Sequence, residues 1–117
     1  RNPVIRRLIL RKDMKLEKKA GISALCEYSL LSDNVYPTYA VTKKELKDSA
    51  VKVEKQVSEL EEIGCVVLEL GYFIDFLGKG FQDPLSVILS LTGEEQEEER
   101  VDISINEMLE EYVWSRD

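Results

Sequence analysis

After Pro3, apolar residues Val4, Ile5, Leu8 and Ile9 recur at helical spacing, with Arg6, Arg7 and Arg11 around them. Proline suits a helix start, where its missing N–H costs nothing. The spacing predicts a short basic amphipathic helix over residues 1–13, with Arg6, Arg7, Arg11 and Lys12 as its charged arm. Residues 14–31 read as a second helix, with Leu16, Ile22, Leu25, Cys26 and Leu30 as its apolar positions and Gly21 as a weak point. "SDNVYP" ends it, and Tyr36, Tyr39 and Val41 suggest a short extended piece. Thr42 and Glu45 form a T-x-x-E capping box, so a helix is expected from Lys43. Beyond it, Leu46, Ala50, Val53, Val57 and Leu60 keep heptad spacing. Either two helices meet at Asp48–Ser49 or one runs from Lys43 to Ile63, with Gly64 as its terminating glycine.

The pattern then changes. In "CVVLELGYFIDFL", Val66, Leu68, Leu70, Tyr72, Ile74 and Phe76 alternate, and the β-branched and aromatic content favours a strand. "GKG" and "QDP" read as turns, and Leu85–Leu91 as a second strand. "TGEEQEEER" reads as an exposed acidic loop over 92–100. Val101, Ile103 and Ile105 alternate with Asp102 and Ser104 as a third strand. A Ser104–Glu107 capping box then opens a last helix carrying Ile105, Met108, Leu109, Tyr112 and Val113, with Trp114 beside it. The expected class is α+β: a small helical domain with a β-hairpin or three-stranded sheet. The alternative is an all-α bundle built on a long heptad helix. Residues 14–117 are expected to form one domain behind the basic segment 1–13.

Composition adds a constraint on partners. The 117 residues suit one domain with its own core. No apolar run approaches the ~18 residues of a membrane span. Net charge is −7, unevenly spread. Residues 1–19 hold eight Lys or Arg against Asp13 and Glu17, a net of +6; the remainder holds eight against twenty-one Asp or Glu, a net of −13. Such asymmetry reads as a basic arm on an acidic body, or as two parts that attract each other within one fold or oligomer. Cys26 and Cys65 make no disulfide framework, so two buried thiols in an intracellular, reducing compartment are expected. The first residue, Arg1, fits a fragment or a processed chain.

Candidate chemistry is sparse. There is no histidine, which removes Ser-His-Asp and Cys-His nucleophile arrangements and imidazole metal sites. Two cysteines far apart make no zinc motif, no phosphate-binding glycine loop is present, and the glutamates of 94–99 lack the spacing of a calcium loop. A non-enzymatic chain without a cofactor or metal is expected.

Residues 42–70, "TKKELKD", "VKVEKQVSELEEIG" and "CVVLEL", resemble the core of the winged helix-turn-helix superfamily. There a Thr- or Ser-capped helix with a Glu-Leu pair precedes the recognition helix, and a Leu-Glu-x-x-Gly ending leads into the wing strands. Thr42, Glu45, Leu46, Leu60, Glu61 and Gly64 match. The resemblance covers about a quarter of the chain, and Thr42–Gly64 is about one helical turn shorter than the usual pattern. It implies base contacts from Ser49, Lys52, Lys55 and Gln56, with Lys43, Lys44 and Lys47 near phosphates. Glu54, Glu59, Glu61 and Glu62 on the same stretch oppose such binding. The leading expectation is therefore a protein-interaction or assembly module, a subunit or regulatory domain of a larger complex. Its interface candidates are Ile105, Met108, Leu109, Tyr112, Val113 and Trp114, with a protein partner or a second copy of the chain expected and DNA as the alternative.

Overall fold

The structure is a computed structural model and describes residues 2–34, 36–48, 57 and 62–114. It is an α+β fold around a three-stranded mixed sheet. The strands are β1 (Val4–Leu10), β2 (Thr38–Thr42) and β3 (Cys65–Leu70), in the order β1-β3-β2. β3 pairs antiparallel with β1, Leu8 opposite Val67, and parallel with β2, Ala40 opposite Leu68. The expected α+β class and a three-stranded sheet are present and the all-α alternative is not, but the strands expected at 85–91 and 101–105 are not among its members.

The first correction concerns residues 1–13. The expected helix is strand β1. Helical and strand periods overlap over so short a run. The β-branched Val4, Ile5 and Ile9, and pairing to a fully buried neighbour, favour the strand. Leu8 and Leu10 reach one face of the sheet, while Val4 and Ile9 pack toward the other. Ile5 falls where the register slips between Val4 and Arg6.

All six residues of β3 are buried. Cys65 and Val67 join Leu8, Leu10, Tyr39 and Val41 in one cluster, covered by Leu46 of helix α2 (Lys43–Asp48). Val66, Leu68 and Leu70 pack with Ala20 and Ala40 on the other side. This is the period-two alternation of a strand buried on both faces. The capping box before α2 forms as expected: Glu45 N–H donates to Thr42 Oγ1 at 3.2 Å, and Thr42 N–H donates to Glu45 Oε1 at 2.9 Å.

Helix α1 (Gly21–Tyr28) is shorter than the expected 14–31. Gly21 opens it rather than breaking it, at φ +54°, where side chains rarely go. Its N–H donates to the buried Gln82 Oε1 at 3.0 Å.

Three expected features beyond β3 are helical instead. Residues 85–91 lie in and just after α3 (Pro84–Ser90), not in a strand. Asp83 caps α3 and Pro84 takes its first position, so the "QDP" read as a turn is a helix start. The acidic loop is α4 (Gly93–Glu97), begun by a second T-x-x-E box, Thr92 with Glu95. The expected third strand lies inside α5 (Glu99–Leu109), which starts before Ser104. Val101, Ser104, Ile105 and Met108 are its buried positions, a helical spacing that outweighs the alternation of Val101, Ile103 and Ile105. A π-helical turn, Glu110–Trp114, follows. Helices α1, α3 and α5 enclose a second core of Leu25, Tyr28, Val87, Val101 and Met108.

Of the heptad stripe, Ala50, Val53 and Leu60 lie outside the described residues. Val57 is not helical: its N–H donates to the Ile9 carbonyl of β1 at 2.8 Å. An unbroken helix from Lys43 to Ile63 is therefore excluded, and so is a helix through Val57. The expected wing of two long strands does not form, because β3 takes β1 as its antiparallel partner and 85–91 is helical; the turn at Gly78–Gly80 is closed by an isolated antiparallel bridge, Asp75 with Gln82.

Gly64 has a different role from the one expected. It is not in the left-handed region; a Cβ there would collide with the Arg11 carbonyl and lie 2.6 Å from the Lys12 carbonyl carbon. The residue is glycine because two backbones cross. Gly64→Ala should cost about 2–3 kcal/mol in urea denaturation, the range of overpacking against backbone. Gly93→Ala, with nothing within 4 Å of the added methyl, should lie within about 0.5 kcal/mol of the parent.

Candidate functional site

Among the concave surfaces of the described residues, two bear on the expected interfaces. The first lies between the C-terminal end of α1 and helix α5. Glu27, Tyr28, Leu30, Glu107, Glu110 and Glu111 line an open cavity of about 610 Å³. A neighbouring cavity of about 300 Å³ shares Leu30 and Glu107 and adds Leu31 and Ile103, so the two form one groove. Leu30 is 97% exposed and Ile103 52% exposed; Leu85 and Leu89 of α3 are exposed as well, but they do not line this groove. Glu27 pairs with Lys19 Nζ at 2.8 Å, and Arg100, at the far end, with Glu98 at 2.6 Å. The glutamates do not converge: no cluster of three carboxylates or thiols among the described residues is arranged to hold a metal ion.

The second surface is basic. Arg6, Lys43, Leu46, Lys47 and Glu69 line a cavity of about 270 Å³. Lys43 and Lys47 stand one turn apart on α2, and Lys44 is exposed beside them. Arg6 Nε and Nη2 both lie 3.1 Å from Glu69 Oε1. Glu69 is only 4% exposed, so this carboxylate needs the guanidinium.

The structure divides the sequence-derived candidates. Lys43, Lys44 and Lys47 are exposed together. Ser49, Lys52, Lys55 and Gln56 lie outside the described residues. Ile105 and Met108 are core residues, and Leu109 packs against that core, so these three are not a free face. Tyr112 is half in the core: its ring meets those of Tyr28 and Phe76 edge-on, 5.1 and 5.8 Å between centroids. Val113 is half-buried and Trp114 is exposed. The basic arm is built into the fold. Besides the Arg6 contact, Arg7 Nη2 donates to the Ser90 carbonyl at 3.1 Å. Lys18 reaches Glu45 at 2.7 Å. These contacts match the reading of the charge asymmetry as attraction within one fold. Arg11 and Lys12 are exposed at the end of β1.

Sequence reading missed Leu30 and Ile103. Both sit at apolar positions of amphipathic patterns, so nothing in the sequence marks them as exposed. It also missed Gln82, which is fully buried. Its side chain accepts from Gly21 N–H and donates to Ser90 Oγ, and its carbonyl accepts from Tyr28 Oη at 2.6 Å. Gln82 thereby ties α1 to α3. Neither cysteine is in a disulfide; Cys65 is buried, with its thiol 3.3 Å from the Lys12 carbonyl, and Cys26 is half-buried.

No protein-family model matches the chain, and no curated protein or solved structure matches it either. No helix among the described residues is long and apolar enough to cross a membrane.

Among the described residues, three groups have proton affinities raised by their surroundings. Burial pushes the Cys26 thiol up to about 11, with Asp33 and Glu27 adding to the effect. Burial raises the Tyr28 phenol, with the Asp83 charge adding to it. Burial also raises Tyr39, whose hydroxyl donates to Asp13 Oδ1 at 2.6 Å. A raised folded-state value gives stability that is complete below the unfolded value and lost as pH climbs through the folded one. For Cys26 that window runs from about 9 to about 11. The urea midpoint should therefore fall as pH rises through this window. Cys26→Ala combined with Tyr39→Phe should flatten the fall, and tyrosinate absorbance of the folded protein should account for fewer than its five tyrosines.

Proposed function

We propose that this chain is a non-enzymatic interaction or assembly module that serves as a subunit or regulatory domain in a larger complex. The observation that carries this reading is the groove beside α5, where Leu30 and Ile103 are held in water by a well-packed helical layer. Leaving large aliphatic side chains exposed has a solvation cost that a partner's surface removes. The exposed Trp114 adds an aromatic of the type that anchors interfaces. The test is sedimentation of the purified chain at high concentration, with size fractionation of native complexes carrying a tagged copy. A stoichiometric complex or a defined oligomer is expected, lost on Leu30→Asp/Ile103→Asp while the melting temperature holds. A monomer at all concentrations, found in no stoichiometric complex, contradicts the reading.

A second reading has its own support. Arg6, from the basic arm, stands with Lys43 and Lys47 around one cavity, and both lysines belong to the stretch that resembles winged-helix proteins. This cluster favours nucleic-acid binding through phosphate contacts. Glu69 offsets one of its charges. Under this reading, duplex DNA at about 50 mM salt raises fluorescence anisotropy, and Lys43→Glu/Lys47→Glu abolishes the rise. No binding at that salt concentration rules it out.

A further inference from the structure

We propose that the α1–α5 groove docks a basic amphipathic segment of a different protein. Its aliphatic side chains lie against Leu30 and Ile103, and its Lys or Arg side chains face Glu107, Glu110 and Glu111. This inference rests on the interaction-module reading and names the partner's chemistry. The groove is lined by two exposed aliphatic side chains and by a run of carboxylates. Among the described residues no cation pairs with Glu107, Glu110 or Glu111, whereas Glu27 already has Lys19 and Arg100 already has Glu98. Among the described residues these carboxylates are thus a negative field without paired cations, beside exposed apolar side chains. Such a field steers and selects a cationic partner. The alternation the groove demands, apolar on one side and basic on the other, is that of an amphipathic helix laid in a groove.

A second copy of this chain fits poorly. Its Arg6 and Arg7 are engaged with Glu69 and Ser90. Of its other basic surfaces among the described residues, α2 exposes Lys43, Lys44 and Lys47 but buries Leu46, and Lys79, beside the exposed Leu77, lies over the Phe76 ring.

The test uses the full chain and two fluorescein-labelled helical peptides that share one leucine pattern, one with lysines on the polar face and one with glutamates. Anisotropy should show the lysine peptide binding and the glutamate peptide not binding. Raising salt from about 50 to about 500 mM should weaken the lysine peptide by roughly tenfold or more, as screening of exposed pairs requires. Glu107→Gln/Glu110→Gln/Glu111→Gln should weaken it by about tenfold, from a few-fold loss per pair. Leu30→Asp should weaken it further, with the far-ultraviolet spectrum and melting temperature of each variant unchanged. All substituted side chains are exposed, so folding is spared. Equal binding of both peptides, or binding insensitive to salt and to the glutamine variant, overturns the basic partner and leaves the module reading intact. Failure of both peptides to bind a chain that still enters a stoichiometric complex overturns this groove as the docking site. Failure of both peptides together with failure to assemble overturns this inference and the module reading alike.

Discussion

Glu69 places a carboxylate inside the central strand of the sheet, and the fold is arranged so that a guanidinium reaches it. A carboxylate held away from water is tolerated when charge and hydrogen bonds compensate it. Here the compensation comes from the neighbouring strand, because the antiparallel register sets Arg6 opposite Glu69. The contact turns a long-range feature of the sequence, a basic start and an acidic remainder, into a local one. The positive segment is a strand of the sheet. Since Arg6 is largely exposed, its contribution is one of satisfying Glu69 rather than of adding a strong ion pair.

The rest of the architecture follows from burying β3 on both faces. One face takes α2 and the side chains of Met14 and Leu16. Beyond the other lie α1 and the helical layer with α3 and α5. That layer is cross-braced by Gln82 and by the edge-on rings of Tyr28, Phe76, Phe81 and Tyr112. Once these groups are satisfied, exposed chemistry remains on two of the surfaces formed by the described residues. One is the cationic cluster beside Arg6; the other is the groove of Leu30, Ile103 and the α5 glutamates.

Legibility in the sequence tracked how local the deciding physics is. The Thr42–Glu45 capping box acts within one turn, and the helix starts where it predicts. The Thr92–Glu95 box obeys the same rule, but a run of glutamates disguised it as a loop. Residues 4–10 and 85–91 are short apolar runs in which the two periods overlap, and tertiary context decided each in the direction opposite to expectation. Pairing with β3 made the first a strand, and the Asp83–Pro84 start made the second a helix. The apolar stripe of α5 was visible, but which of its members stay in water depends on where α1 ends. Ile105 and Met108 went to the core, whereas Ile103 and Leu30 were left outside. The reason for Gly64 was equally hidden, since it arises from a crossing with Arg11 more than fifty residues away.

The claim on which this account turns is that the basic N-terminal stretch is an integral strand held against β3. Hydrogen exchange followed by mass spectrometry tests it most directly, by comparing the peptide spanning residues 4–10 with that spanning 65–70. Protection of the first within about tenfold of the second, lost together in Arg6→Ala/Leu8→Ala, is the predicted result. Exchange of residues 4–10 at the rate of unstructured chain, with 65–70 still protected, would contradict it.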